Sequence, residues 1–160
     1  MRHLVLAALV TLSSTASAQL RVSVGAGAGL SGSTESSLSD GSGAPVLMAE
    51  VVRPLFPGLG LGAEVDYWKG RVSQVAFATA LVQAHLPVIP LHVKAGLGYG
   101  NGDPDGNGNV AGLAGQLGAM YDITFPGAPV ALSVFANALL AHAKLRSVQT
   151  VDAGLAITWK

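Results

Sequence analysis

The most constraining feature of this chain is a two-residue alternation that recurs along its length. Between Leu20 and Leu30 the even positions are Leu20, Val22, Val24, Ala26, Ala28 and Leu30, and the odd ones are Arg21, Ser23, Gly25, Gly27 and Gly29. Successive side chains of a β-strand point to opposite faces, so this segment reads as a strand with one aliphatic face and one polar or bare face. Leu59 to Trp68 repeats the pattern, setting Leu59, Leu61, Ala63, Val65 and Tyr67 against Gly60, Gly62, Glu64, Asp66 and Trp68. Leu91 to Gly100 sets Leu91, Val93, Ala95, Leu97 and Tyr99 against His92, Lys94, Gly96, Gly98 and Gly100. Thr150 to Lys160 sets Val151, Ala153, Leu155, Ile157 and Trp159 against Asp152, Gly154, Ala156, Thr158 and Lys160.

Four further segments carry a weaker form of the same alternation: Ala44 to Leu55, Gln74 to Leu86, Leu113 to Ile123 and Val130 to Leu140. The total is eight strands. Gln74 to Leu86 is rich in Ala and also suits a helix, but one helix among strands would leave an odd strand number. Only 11% of the residues are charged while 50% are hydrophobic, against about 25% charged in soluble domains. That balance excludes disorder. Beyond the first eighteen residues no run of apolar side chains is long enough for a membrane helix. The sequence therefore predicts an all-β protein, an eight-stranded antiparallel up-and-down transmembrane β-barrel.

Residues 1–18 read as a secretory signal peptide. Arg2 and His3 precede the apolar run Leu4 to Val10, and Ala16, Ser17 and Ala18 form an A-x-A cleavage site. Residues 19–160 then constitute the barrel domain. There is no Cys, so no disulfide framework supports an exported fold. Nine Lys and Arg balance nine Asp and Glu, and no nucleic-acid partner is expected.

The connections sort into two kinds. Phe56 to Gly58, Pro87 to Pro90 and Phe125 to Pro129 are short and built on Pro and Gly. They alternate with more polar stretches: Ser31 to Gly43, Lys69 to Ser73, Asn101 to Asn109 and Ala141 to Gln149. Outer-membrane barrels place short turns on the periplasmic side and longer loops outside. Aromatic residues fall at both levels, with Tyr67 and Tyr99 at the loop ends and Phe56, Tyr121, Phe125 and Trp159 at the turn ends. They are expected to form two membrane-interface belts.

The inward face carries the expected polar network: Arg21, Glu50, Glu64, Asp66, His85, His92, Lys94, Gln116, Asp122 and Asp152. An eight-stranded barrel has an interior that side chains can fill, and charges in it must be paired or hydrated. A side-chain plug is the leading expectation, and a narrow ion- or small-solute-conducting path is the alternative. The inward glycines are expected to leave space for water beside the first, third and fifth strands. A third possibility is a soluble periplasmic lipocalin-like binder, which would turn its aliphatic face inward around an apolar ligand.

The loops offer two weak chemical patterns. Asp103, Asp105 and Asn107, followed by Gly108, match the start of a calcium loop, but the twelfth position is Ala114 rather than Glu. His142 and Ser147 are the one rim Ser/His pair, with no acidic residue beside them. No catalytic residue and no cofactor are expected.

The run HVKAGLGYG, His92 to Gly100, together with GQLGAMYDIT, Gly115 to Thr124, resembles the glycine-and-aliphatic strands of small eight-stranded outer-membrane proteins of the OmpA, OmpX and OmpW type. The resemblance implies an outer-membrane location, contact with outer-membrane lipids, assembly by the barrel-assembly machinery and a monomeric, non-enzymatic barrel. It identifies no surface partner. Such chains commonly end on an aromatic residue, whereas here Trp159 is followed by Lys160.

Overall fold

The structure, a computed structural model, describes residues 20–33, 43–70, 74–86, 88–103, 109–143 and 146–159. The expected signal peptide, Asp105, Asn107 and the terminal Lys160 lie outside these. Eight strands follow one another: β1 (Arg21–Ser33), β2 (Gly43–Phe56), β3 (Leu59–Lys69), β4 (Gln74–His85), β5 (Leu91–Asp103), β6 (Val110–Thr124), β7 (Val130–Ala143) and β8 (Arg146–Trp159). Each pairs antiparallel with the next, and β1 pairs with β8, closing the barrel. The helical alternative for Gln74 to Leu86 does not occur. Extended backbone there pairs with β3 on one side and β5 on the other.

Strand parity decides which side chains are enclosed. Leu47, Leu97, Leu113 and Leu117 point outward, at 60%, 77%, 81% and 66% exposure, while Arg21, Glu50, Glu64, Asp66 and Lys94 on the opposite parity are buried. The aliphatic face is thus the outer one over all eight strands. This is the reverse of the arrangement that a soluble lipocalin-like binder requires.

Two of the short turns have the geometry their residues dictate. Pro57 and Gly58 join β2 to β3, with Gly58 at φ 85°. Gly127 follows Pro126 at φ 76°, and Ala128 N–H donates to Phe125 O at 3.1 Å. Pro at the first central position and a positive-φ Gly at the second make a type II turn.

The polar connections are shorter than their composition suggests. The expected loop Ala141 to Gln149 is largely strand, because β7 continues to Ala143 and β8 begins at Arg146. Likewise, Ser31 to Ser33 continues β1, Lys69 ends β3, and Asn101 to Asp103 continues β5. Polar residues do not stop a ladder whose alternate positions still pack, and Ala44, Val75, Leu139, Ala141 and Val148 are enclosed at this end. Length alone therefore does not distinguish the two ends of the barrel.

Two of the glycines expected to leave space, Gly25 and Gly29, and also Gly100, are overlain by aromatic rings. A Cβ on Gly29 would stand 2.6 Å from Trp68 Cη2, one on Gly25 2.9 Å from Phe135 Cε1, and one on Gly100 2.8 Å from Phe77 Cε1. Aromatic rings take the room that these three glycines leave, whereas Gly60 and Gly62 on β3 stand against Val52 and backbone of β2. At the loop end Trp68 and Phe77 join Val46, Val75, Val110, Leu139 and Val148 in an apolar cap. Nearer the turn end Phe135 packs with Met48, Met120 and Ala156.

This packing separates two glycine substitutions. Gly29→Ala places a methyl group within 2.7 Å of Asp152 Cβ as well as against Trp68 and Val151 O, and overpacking of that kind costs about 1–3 kcal/mol. A Cβ on Gly115 meets nothing within 4 Å, so Gly115→Ala is expected to be neutral or stabilising by up to about 1 kcal/mol. Urea unfolding of both variants in the same detergent or lipid measures the difference.

Candidate functional site

The enclosed polar groups form a network built on three carboxylates. Glu50 on β2 accepts from Arg21 Nη1 at 2.7 Å, from Lys94 Nζ at 3.1 Å and from Gln83 Nε2 at 3.3 Å. Glu64 on β3 accepts from Lys94 Nζ, from Gln116 Nε2 at 2.6 Å and from Asn137 Nδ2 at 3.0 Å. Asp122 on β6 accepts from Arg21 Nη2 at 2.9 Å and Ser133 Oγ at 2.7 Å, and its other oxygen lies 3.2 Å from His92 Nε2. Thr79 donates to Gln116, so the amide that reaches Glu64 is itself held in place.

The two cations bridge the strands. Arg21 on β1 spans Glu50 and Asp122, while Lys94 on β5 spans Glu50 and Glu64. All of these charges are enclosed, with Lys94 at 1% exposure. Removing two ions from water costs several kcal/mol each, and their attraction offsets this only where the geometry is good and the remaining donors and acceptors are satisfied. Charge-assisted hydrogen bonds from Gln83, Gln116, Asn137 and Ser133 satisfy the carboxylates further. Ser23, Ser133 and Thr158 add a hydroxyl chain, at 2.9 and 2.8 Å, toward the turn end.

Of the ten residues expected in the interior, the structure joins Arg21, Glu50, Glu64, His92, Lys94, Gln116 and Asp122 in this network. Asp66 and Asp152 are buried, and neither carboxylate takes part in an ion pair among the described residues. His85 is corrected. It has the inward parity but lies at the end of β4 and is exposed at the barrel mouth, its ring 4.6 Å from that of His92. Gln83, Thr79, Ser133 and Asn137 belong to the network and were missed as members. Their signal was the same parity as the charged residues, obscured because each is neutral and interrupts a weaker alternation.

Tyr99, Tyr121 and Trp159 are exposed on the outward parity of their strands and Tyr67 is half-buried, while Phe125 is exposed in a turn and Phe56 is exposed against the parity of β2, beyond the register shift at Pro54. His142 and Ser147 are brought directly opposite each other in the β7–β8 ladder rather than in a loop. His142 is exposed and Ser147 buried, and the pairs flanking them are Ala141 with Val148 and Ala143 with Arg146. Asp103, the one described member of the calcium pattern, is half-buried at the end of β5. Among the described residues no group of three or more His, Cys, Asp or Glu is arranged to hold a metal ion.

The shared lysine makes a sharp prediction. Lys94→Met leaves Glu50 and Glu64, cross-strand neighbours on β2 and β3, without their common cation, and breaking a buried ion pair in this way costs about 3–5 kcal/mol. Adding Glu64→Gln removes one orphaned charge and is expected to restore part of that loss. Equilibrium unfolding of wild type, single and double variants gives the coupling.

No described protein family and no curated protein matches the chain by sequence. Solved structures do match it. Neisserial surface protein A superposes with a TM-score of 0.65 at 12% identity, over 88% of this chain and 96% of that one. Ail, the attachment invasion locus protein of Yersinia pestis, gives 0.61 at 12% identity, over 90% of this chain and 100% of that one. The N-terminal β-barrel domain of Pseudomonas aeruginosa OprF gives 0.54 at 13%, over 88% and 98%. At these identities the likeness is one of architecture: the described residues form the closed, eight-stranded antiparallel fold of small outer-membrane barrels.

Proposed function

We propose that the protein is an integral outer-membrane barrel with a structural or surface-interaction role, and that its lumen is plugged rather than conducting. The observation that carries this reading is the inversion of the usual protein surface, with a continuous aliphatic exterior around a closed, ion-paired interior. Soluble monomers rarely expose apolar patches beyond a few hundred Å². Here Leu47, Leu97, Leu113, Leu117 and Leu155 all point outward and are more than half exposed. In lipid this surface is an asset, and closure leaves no strand edge with unpaired backbone groups. A concavity of about 1030 Å³ has outward Leu61, Val82, Leu97, Leu117, Leu140 and Val151 among its lining residues. Acyl chains would fill it.

The plug is supported by the lumen itself. Salt bridges cross it from β1 to β2 and β6 and from β5 to β2 and β3, and the apolar cap of Trp68, Phe77, Leu139 and Val148 stands on the loop side. A path for ions would have to break both layers. The role is one of anchoring and presenting the loops, with no reaction step assigned to any residue. Export through the leader at residues 1–18, insertion by the assembly machinery and a monomeric state belong to the same reading.

Carbonate-washed envelopes of expressing cells should retain the protein, and its gel mobility should shift on boiling. Loss of the protein to the soluble fraction would sink the reading. In planar bilayers the wild type is expected to show no steady conductance, and a stable single-channel current would favour the conducting alternative. On the lipid face, Leu97→Arg near the centre of β5 is expected to cost about 2–4 kcal/mol of folding free energy in vesicles.

A further inference from the structure

The two ends of the barrel wall are chemically opposite. At the loop end the outward face finishes on polar side chains, Lys69, Gln74, Asn101, His142 and Gln149, all of them exposed. At the turn end no such ring occurs. The stretches Pro54 to Leu59, Leu86 to Pro90 and Thr124 to Val130 contain no charged residue. Their large side chains stand in the open, with Phe56 at 59%, Val88 at 92% and Phe125 at 53% exposure and Leu55, Leu86 and Ile89 exposed beside them. Turns that face water commonly carry Asn, Asp and Ser, and soluble surfaces rarely gather so many apolar side chains in one place.

The backbone at this end is also poor in groups that need water. Six of the chain's eight prolines, Pro54, Pro57, Pro87, Pro90, Pro126 and Pro129, lie in these stretches, and proline has no N–H to satisfy. Carbonyls are taken up by the protein: Gly58 O accepts from His85 N–H at 2.8 Å, Pro90 O from Asp122 N–H at 2.9 Å, Ile89 O from Leu91 N–H at 2.7 Å and Phe125 O from Ala128 N–H at 3.1 Å. Backbone arranged in this way enters an apolar medium at reduced cost. Strand length sets the depth of the turns. Below the polar ring, outward apolar side chains run from Tyr67 to Leu59 on β3, from Tyr99 to Leu91 on β5 and from Val151 to Trp159 on β8, nine residues in each. A tilted strand needs about 9–11 residues to cross the hydrocarbon, so these strands use their whole length and bring the turns to the far edge of the acyl layer. The interfacial layer beyond is about 5–7 Å deep on each side, a depth that a tight Pro57-Gly58 turn fills.

Resting on the membrane reading above, we propose that the turn end is itself a lipid-binding surface, seated in the interfacial layer of the bilayer. Phe56, Val88 and Phe125 lodge beside the glycerol esters and upper acyl carbons of phospholipids and do not project into water. Continuity favours lipid as the occupant, because the apolar rim extends the lipid-facing wall with no polar band between them. Arg53 is the one charged side chain on the outward parity near these turns among the described residues, and it is half-buried. A long guanidinium side chain lies along apolar surface while its head reaches phosphate, which suits a position at the edge of the acyl layer. His85, exposed at the barrel mouth, gives the centre of the surface a polar group that matches headgroups and not acyl chains. The barrel is thereby seated off-centre, with its loop end projecting and its turn end flush with the headgroups.

The chain has no Cys, so a single label reports one position. Val88→Cys and Leu97→Cys each carry a nitroxide and are folded into phosphatidylcholine–phosphatidylglycerol vesicles, with the heat-dependent gel shift confirming closure. Collision of each label with oxygen, which partitions into lipid, and with a water-soluble nickel chelate present on both sides of the membrane is compared with that in the chain unfolded in urea without lipid. The expected result is nickel collision several-fold lower in the folded barrel at both positions. Oxygen should be favoured most at Leu97, in the middle of β5, and less at Val88, nearer the headgroups. A Val88 label as open to nickel in vesicles as in urea, with Leu97 shielded, would overturn this proposal alone and leave the rim to a periplasmic protein. A Leu97 label open to nickel would overturn the membrane reading on which the proposal rests.

Discussion

Everything in this barrel depends on the pairing of β1 with β8. A sheet whose outer face is aliphatic can be surrounded by lipid only if no backbone N–H or C=O is left at an edge, since each unsatisfied group in hydrocarbon costs several kcal/mol. The continuous β1–β8 register from Val22 with Trp159 to Ser33 with Val148 removes that edge. Closure in turn creates an interior too narrow to be left empty. Once eight strands are joined, the inward residues must fill one another's space and satisfy one another's charge, with little help from solvent.

The interior meets the two demands in separate layers. Charge is handled toward the middle and turn end, where Glu50, Glu64 and Asp122 each receive several donors and Arg21 and Lys94 each serve two carboxylates. Volume is handled toward the loop end, where Trp68 and Phe77 lie over positions on other strands that carry no side chain. Gly29 and Gly100 are therefore complements of particular rings, and the bulk of one strand is accommodated by the bareness of another. Asp66 and Asp152 are buried outside the ion pairs, with Asn137 paired to Asp152 across β7 and β8.

Much of this was legible in the sequence because period-two alternation depends only on neighbouring residues. The strict segments at Leu20, Leu59, Leu91 and Thr150 identified both the strands and the face each side chain takes, and Arg21, Glu64, Lys94 and Asp152 followed from parity. What needed the fold was long-range. That Lys94 serves both Glu50 and Glu64, or that Gly29 faces Trp68, depends on stagger around the barrel and not on local order. Strand ends were misjudged where polarity was taken for a loop. His142 and Ser147 read as loop residues, yet they pair across a hairpin whose alternate positions pack inside. His85 erred the other way, having the right parity at a position beyond the enclosed part of the lumen.

The chain's two tryptophans offer the most direct measurement of the inside-out arrangement. Trp159 is on the outer face at 44% exposure and Trp68 is enclosed at 1%. Single-tryptophan variants folded into vesicles of brominated lipid report which indole touches acyl chains. The arrangement described here predicts strong quenching when only Trp159 remains and little when only Trp68 remains. Quenching of Trp68 with Trp159 unaffected would mean that the faces are assigned the wrong way round, and the account of barrel, network and cap would fall with it.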